Sequence, residues 1–291
     1  MHSKKIAASI LTVFASLATF AAEPARSFRE WYYPYGIIMP KETTPETAVQ
    51  GVTSEHIEHL VLANLTNKEA TAKITYYFED DAPIFRTHQV PAHGSTIYRF
   101  GSLKDEAFPK RKLFGAKITS DVPIVPQSTQ GGSENLPKPA LPGNFESSVI
   151  AYAGPLGKRE TRWMYPDAHP FLTKSAGGWH DWEWITILNP NPDKPANVRI
   201  TFNFIERLGP QRLHTVIVPA ERIRHIALHE LALPVMKFAD ACYPIIESDV
   251  PIVVEQTRRP VVAVNPGPRG GWNMIALPIG DVEFDVPTLK P

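Results

Sequence analysis

The six residues Ser120-Asp121-Val122-Pro123-Ile124-Val125 recur unchanged as Ser248-Asp249-Val250-Pro251-Ile252-Val253, and Thr129 returns as Thr257. The two occurrences lie 128 residues apart. An identity of that length within one chain marks an internal duplication. A period of that size is one domain per copy, not the short unit of a solenoid. Whatever fold the chain adopts has to be specified twice, and the positions where the copies diverge separate what the fold needs from what one copy does.

The 291 residues leave room for two domains that each bury a core. Copy one is expected over 28–154 and copy two over 158–291. Prolines number 29, about twice the usual share of roughly 5%. Proline is excluded from helix interiors and central strand positions, so the excess favours short strands joined by turns. With 30 basic and 30 acidic side chains and no block of like charge, nothing points to nucleic acid or an anionic membrane as a partner. The N-terminus has a basic start (Lys4, Lys5), an apolar run from Ile6 to Phe20 and small residues at Ala21 and Ala22. Residues 1–22 therefore read as a cleaved signal peptide, the run being short of the ~20 residues of a membrane span. The expected address is secreted or periplasmic, with no membrane insertion after cleavage. Cys242 is the single cysteine, so no intrachain disulfide can form, and Phe114 at the matching position makes it a core residue.

Aligned on the duplication, each copy opens on an aromatic cluster, Trp31-Tyr32-Tyr33-Pro34 and Trp163-Met164-Tyr165-Pro166. An alternating strand follows, Glu58 to Asn64 and Glu183 to Asn189. Alternation puts Glu183, Ile185, Ile187 and Asn189 on one face, and Glu58, Leu60, Leu62 and Asn64 on the equivalent one. Trp182 and Trp184 then point away from Glu183, towards sandwich packing or an interface, and Trp179 is left freer to stack on a ligand. Further strands are expected over 72–78, 85–90, 95–100 and 149–152, and over 198–204, 213–218, 222–228, 252–258 and 274–277. The one helical candidate, His229 to Ala241, is broken by Pro234. Many short strands with turn signals between them predict an all-β protein of two tandem antiparallel jelly-roll-like β-sandwich domains.

These residues resemble the sensory rhodopsin transducer family. The likeness rests on the opening aromatic, the Glu183 to Asn189 strand, the run Val218 to Ile226 and above all Ser248 to Arg258, and it extends more loosely through copy one. It implies a soluble jelly-roll-like sandwich that assembles into homo-oligomers, has no catalytic residues and no cofactor, and binds a small polar or sugar-like ligand. Carried over position by position, the implied ligand-binding residues are Trp163, Glu183, Asn189, Arg222, His225, Gln256, Thr257 and Arg258. A weaker second site would use Trp31, Glu58, Asn64, Gln127 and Thr129, because copy one has Gly94 for Arg222, Ile97 for His225 and Gln130 for Arg258.

The residue chemistry fits such a site. A carboxylate, an amide and a guanidinium supply the acceptors and forked donors that hydroxyl-rich ligands need, and a Trp face covers C–H surface. The same residues also fit a Glu183–Arg258 strand staple in a structural or adhesion module that has no small-molecule ligand. The closest histidine groupings, His56 with His59 and His225 with His229, lack the spacing of zinc peptidases, so no metal site is expected. No nucleophile elbow, phosphate loop or dinucleotide fingerprint occurs.

Overall fold

Every segment with alternating side chains lies on a strand. A computed structural model describes residues 28–37, 53–100, 113–135, 143–166, 168, 179–204, 209–231, 233, 242–262, 269–270 and 272–280. The expected signal peptide lies outside the described residues, as does most of the segment 229–241, whose described start is a single 3-10 turn at Leu228–Glu230. No helix among the described residues is long and apolar enough to cross a membrane.

Copy one contributes β1 (Glu30–Ile37), β2 (Thr53–Asn64), β3 (Ala70–Phe78), β4 (Ile84–Val90), β5 (Gly94–Arg99), β6 (Leu113–Ser120), β7 (Val125–Asn135), β8 (Gly143–Ile150) and β9 (Tyr152–Ala153). Copy two contributes β10 (Arg162–Met164), β11 (Trp179–Asn189), β12 (Ala196–Phe204), β13 (Arg212–Val218), β14 (Arg222–Ala227), β15 (Cys242–Ser248), β16 (Val253–Val262), β17 (Arg269–Gly270), β18 (Trp272–Ile275) and β19 (Leu277–Pro278). They form four sheets. Sheet I has the order β4-β3-β6-β1-β9 and sheet II the order β17-β8-β7-β2-β5, while sheet III, β13-β12-β15-β10-β19, and sheet IV, β14-β11-β16-β18, belong to copy two. Pairing is antiparallel throughout, apart from the two-residue β17, which lies parallel to β8 and so adds a strand of copy two to a sheet of copy one. The chain is all-β, built of antiparallel sandwiches in tandem.

Among the strands that alternation did not reveal, β1, β6 and β15 carry a breaker or a run of aromatics in place of a clean period of two. In β6, Phe114, Ala116 and Ile118 are buried, but Gly115 lies in their midst. In β15 Pro244 precedes Ile245 and Ile246, both buried. Each is an interior strand, β6 between β3 and β1 and β15 between β12 and β10, where both faces can be covered and alternation fades.

The two sandwiches share buried surface. Tyr32 and Tyr77 of sheet I and Tyr152 of β9 belong to the apolar cluster that forms the core of copy two. Gly115 allows a close approach between the copies: a Cβ there would lie 2.8 Å from Ile223 Cγ2. On copy two the contact is made by the outer face of sheet IV, where Thr186, Leu188, Val253, Glu255 and Thr257 are all fully buried. Trp184 shares that face and, with His225 and Tyr35 of copy one, forms a three-ring stack with centroids 5.7 and 5.6 Å apart. The alternation argument that turned Trp184 away from Glu183 therefore places it at the junction of the copies. The side chains of Trp179 and Trp182 lie outside the described residues.

Candidate functional site

The residues common to both copies act as staples. Asp121 Oδ1 accepts the Thr71 amide at 2.8 Å, and Asp249 Oδ1 accepts the Asn197 amide at the same distance. Hydrogen bonds from Asn197, its side chain first, hold the Asp249 carboxyl below the usual aspartate range. Asn64 donates to the carbonyls of Lys68 (2.7 Å) and Val90 (3.2 Å), and Asn189 to those of Lys194 (2.9 Å) and Val218 (3.0 Å). Each asparagine also accepts the backbone N–H two residues on, from Thr66 or Asn191, as in an Asx turn. Both asparagines are fully buried and bound to backbone groups near them.

Glu58 and Glu183 occupy the same place between the sheets of their sandwiches, and each is 1% exposed. A carboxylate at that depth needs partners. Glu58 accepts the Tyr33 hydroxyl at 2.7 Å and the Ser128 hydroxyl at 3.2 Å, and Ser128 also donates to Tyr33 Oη at 2.7 Å. Glu183 accepts a short hydrogen bond from Gln256 Nε2, and its strand pairs it with Arg258, itself buried. Sequence reasoning missed Tyr33, Ser128 and Tyr165. The signal available for the tyrosines was that they hold equivalent positions in the two aromatic openings.

The structure groups the expected site residues as follows. Glu183, Gln256 and Arg258 lie together on the inner face of sheet IV, with Asn189 farther along the same row. Trp163 is fully buried, and its Nε1 donates to the Glu160 carbonyl at 2.8 Å. His225 and Thr257 are on the opposite face, where His225 Nδ1 lies 2.9 Å from Thr186 Oγ1 against copy one. Arg222, on the edge strand β14, donates to the Glu221 carbonyl at 2.9 Å. In copy one, Trp31 is buried and donates to the Phe28 carbonyl at 3.0 Å, Gln127 is exposed on the outer face of sheet II, and Thr129 is half-buried. The side chain of Gln130 lies outside the described residues. Eight residues that read as one pocket in sequence are thus divided between a core, a turn and an interface.

A further acid lies at the junction. Glu255 is fully buried on the outer face of sheet IV, where its Oε2 accepts the Tyr35 amide of copy one at 3.2 Å and its Oε1 has no hydrogen-bond partner among the described residues. Desolvation, and secondarily the charge of Glu58, push its carboxyl well above the usual glutamate range. The Tyr33 and Tyr165 hydroxyls are raised well above the usual tyrosine range by burial first, and then by nearby carboxylates that include Glu255 for both. A buried polar seam therefore runs from the core of copy one, through Glu255, to the core of copy two.

The open space lies elsewhere. A groove of about 390 Å³ sits where the outer face of sheet I meets the copy-two turns carrying Pro190, Pro192 and Glu221. Its sheet I wall carries the hydroxyls of Thr75, Thr87 and Thr119, with Tyr77 and Phe85 beside them. Phe85 is 66% exposed. Among the described residues no three His, Cys, Asp or Glu side chains gather as metal ligands.

The family model described as Anabaena sensory rhodopsin transducer matches residues 27–140 and again 157–263. The chain belongs to that family. It holds two copies of the family's sandwich in tandem. Among solved structures, Thermotoga maritima 1070 is 24% identical over 43% of this chain and 94% of its own, with a TM-score of 0.32. The Anabaena sensory rhodopsin transducer itself is 29% identical over 34% of this chain and 85% of its own, with a TM-score of 0.28. No curated protein matches.

Proposed function

We propose that this tandem member of the transducer family is a non-catalytic binding protein, exported through its N-terminal signal, that takes a small polar, hydroxyl-bearing ligand in the groove between its copies. One observation carries the reading. Inside the sandwiches Tyr33, Ser128 and Glu58 hydrogen-bond one another and Gln256 donates to Glu183, whereas the groove combines open volume, a row of threonine residues and apolar surface from Phe85 and two prolines. Binding sites favour concave surfaces at domain junctions, where a few polar groups orient a ligand and apolar faces cover its C–H surface. Neither buried glutamate has the solvent access needed to move a proton to a substrate, which favours binding over catalysis.

The test is a screen of residues 23–291 against neutral and charged saccharides, read as a shift in melting temperature, which rises with ligand concentration relative to Kd. A saturable shift that is lost in Phe85→Asp supports the reading. No shift with any saccharide overturns it and leaves the structural-module alternative.

Self-association, the second expectation of the family resemblance, has its own support. The copies meet head to tail, sheet IV against copy one, so among the described residues the corresponding outer face of sheet II remains open, with Ile97 and Ile150 more than half exposed. Sheet III likewise exposes Leu213, Ile217 and Leu277. A heterologous contact leaves one unused face at each end, and a second copy of this chain can cover both. A monomer at all concentrations in sedimentation would overturn this.

A further inference from the structure

We infer that the junction between the copies is a pH-sensitive clamp, held shut by a protonated Glu255 and loosened as that carboxyl ionises. The clamp works whatever the groove binds.

The duplication isolates the acid. Gln127 holds the equivalent place in copy one, opposite Val61 as Glu255 is opposite Thr186, and there it is exposed. Copy two therefore has a carboxyl where copy one has a neutral amide, and has it at the one of the two places that the fold buries. β1 shifts register against β6 between Tyr33 and Gly36, and at this irregularity the Tyr35 amide meets Glu255 Oε2 at 3.2 Å. Glu255 Oε1 and, two residues along the same strand face, Thr257 Oγ1 are buried with no hydrogen-bond partner among the described residues. A neutral carboxyl with one accepted hydrogen bond costs little at such a place, whereas an ionised one is expensive.

On its own sheet Glu255 is flanked by Thr186 and Ile275, with His225 beyond Thr186, the Thr186 Oγ1 to His225 Nδ1 distance being 2.9 Å. Copy one brings the Tyr33 hydroxyl and the Glu58 carboxylate that accepts from it, and the charge of Glu58 opposes a second one on Glu255. The Tyr165 hydroxyl faces it from copy two. Arg224 of β14 donates to Glu79 of copy one at 2.5 Å, and Arg258 of β16 lies on the inner face, opposite Glu183. An ionised Glu255 regains its solvation when water reaches it, and water reaches it when the outer face of sheet IV parts from β1. The same movement releases the Tyr35 amide, so exchange of that amide with solvent reports the clamp. Linkage fixes the size of the effect: with an ordinary glutamate pKa of about 4.3 when open and a raised one when closed, opening becomes about tenfold easier with each pH unit between the two values.

The experiment is hydrogen–deuterium exchange of residues 23–291 followed by NMR from about pH 5 to 9, each amide normalised to its intrinsic rate at that pH, on the native chain and on Glu255→Gln. The variant installs the residue that copy one already has, so the fold is expected to survive. In the native chain the protection of the Tyr35 amide should fall about tenfold per pH unit over at least about two units, and in Glu255→Gln it should change less than about twofold across the range. The Tyr76 amide, inside sheet I, should stay about tenfold or more better protected than that of Tyr35 throughout, because the clamp opens without unfolding the sandwich. Native Tyr35 protection that does not vary with pH overturns the clamp. So does a slope that persists in Glu255→Gln, which would belong to His225 or Glu58, and so does equal protection of Tyr35 and Tyr76, which would mean that copy one unfolds as a whole.

Discussion

Sheets II and IV descend from the same sequence and have opposite surroundings. In sheet IV both faces are covered: the inner face by its own sandwich partner and the outer face by copy one. In sheet II no described residue covers the outer face, and Ile97 stands at 53% exposure where sheet IV has His225 stacked between Tyr35 and Trp184. Val61 and Ala63 of β2 correspond to Thr186 and Leu188 of β11. The comparison teaches that divergence between the copies tracks the interface as much as any ligand. Residues that distinguish copy two, such as His225 and Glu255, are explained by what copy one lays against them.

The largest test of this contrast is Leu188→Ala, which substitutes the residue that copy one already has at that place. Because Leu188 is fully buried, the change should cost about 2–5 kcal/mol through lost transfer energy and a residual cavity. Denaturant unfolding measures it, and a cost under ~1 kcal/mol would mean that the copies do not press on this face. The contrasting change, Ile97→Asp on the open face, should leave monomer stability within about 0.5 kcal/mol and act only on assembly. Sedimentation of both variants separates the two effects.

Of intermediate size are Asn64→Ala and Asn189→Ala. Each orphans buried carbonyls in the same turn of a different copy, for about 1–3 kcal/mol apiece. Similar costs in the two copies are expected of staples. A ligand role for Asn189 would instead show as lost binding with unchanged stability.

Glu255→Gln gives the smallest effect, and its sign is the informative part. Folding raises the Glu255 pKa, so the folded chain holds a proton that the unfolded chain releases. The stabilising contribution is complete below the ordinary glutamate pKa of about 4.3 and is lost as pH rises from there towards the raised folded value. Glutamine keeps an acceptor for the Tyr35 amide and removes the titration. The variant should therefore melt higher than the native chain at neutral pH, with the difference shrinking towards pH 4. Identical pH profiles would show that Glu255 is not desolvated between the copies. Asp249, whose pKa is lowered, works in the opposite direction, favouring the fold above its unfolded pKa and losing that contribution in acid.

Much of this was legible in the chain itself. The repeated Ser-Asp-Val-Pro-Ile-Val fixed the copy number and the period, and alternation assigned the shared face of Glu183, Ile185, Ile187 and Asn189 on β11 and the opposite orientation of Trp184. Those are local consequences of strand geometry, and they hold wherever the strand is placed. Spacing could not reveal that Glu58 would find Tyr33 and Ser128, that Asn189 would turn back on its own backbone, or that His225 would stack against Tyr35, because each partner arrives from a distant strand. The groove was the least legible feature, since its walls come from two copies. The sequence by itself determined two equivalent sandwiches. The tertiary structure decided which face of each would be buried, because one chain can lay one copy on the other in only one direction, and the face left over is where a groove and an open sheet remain.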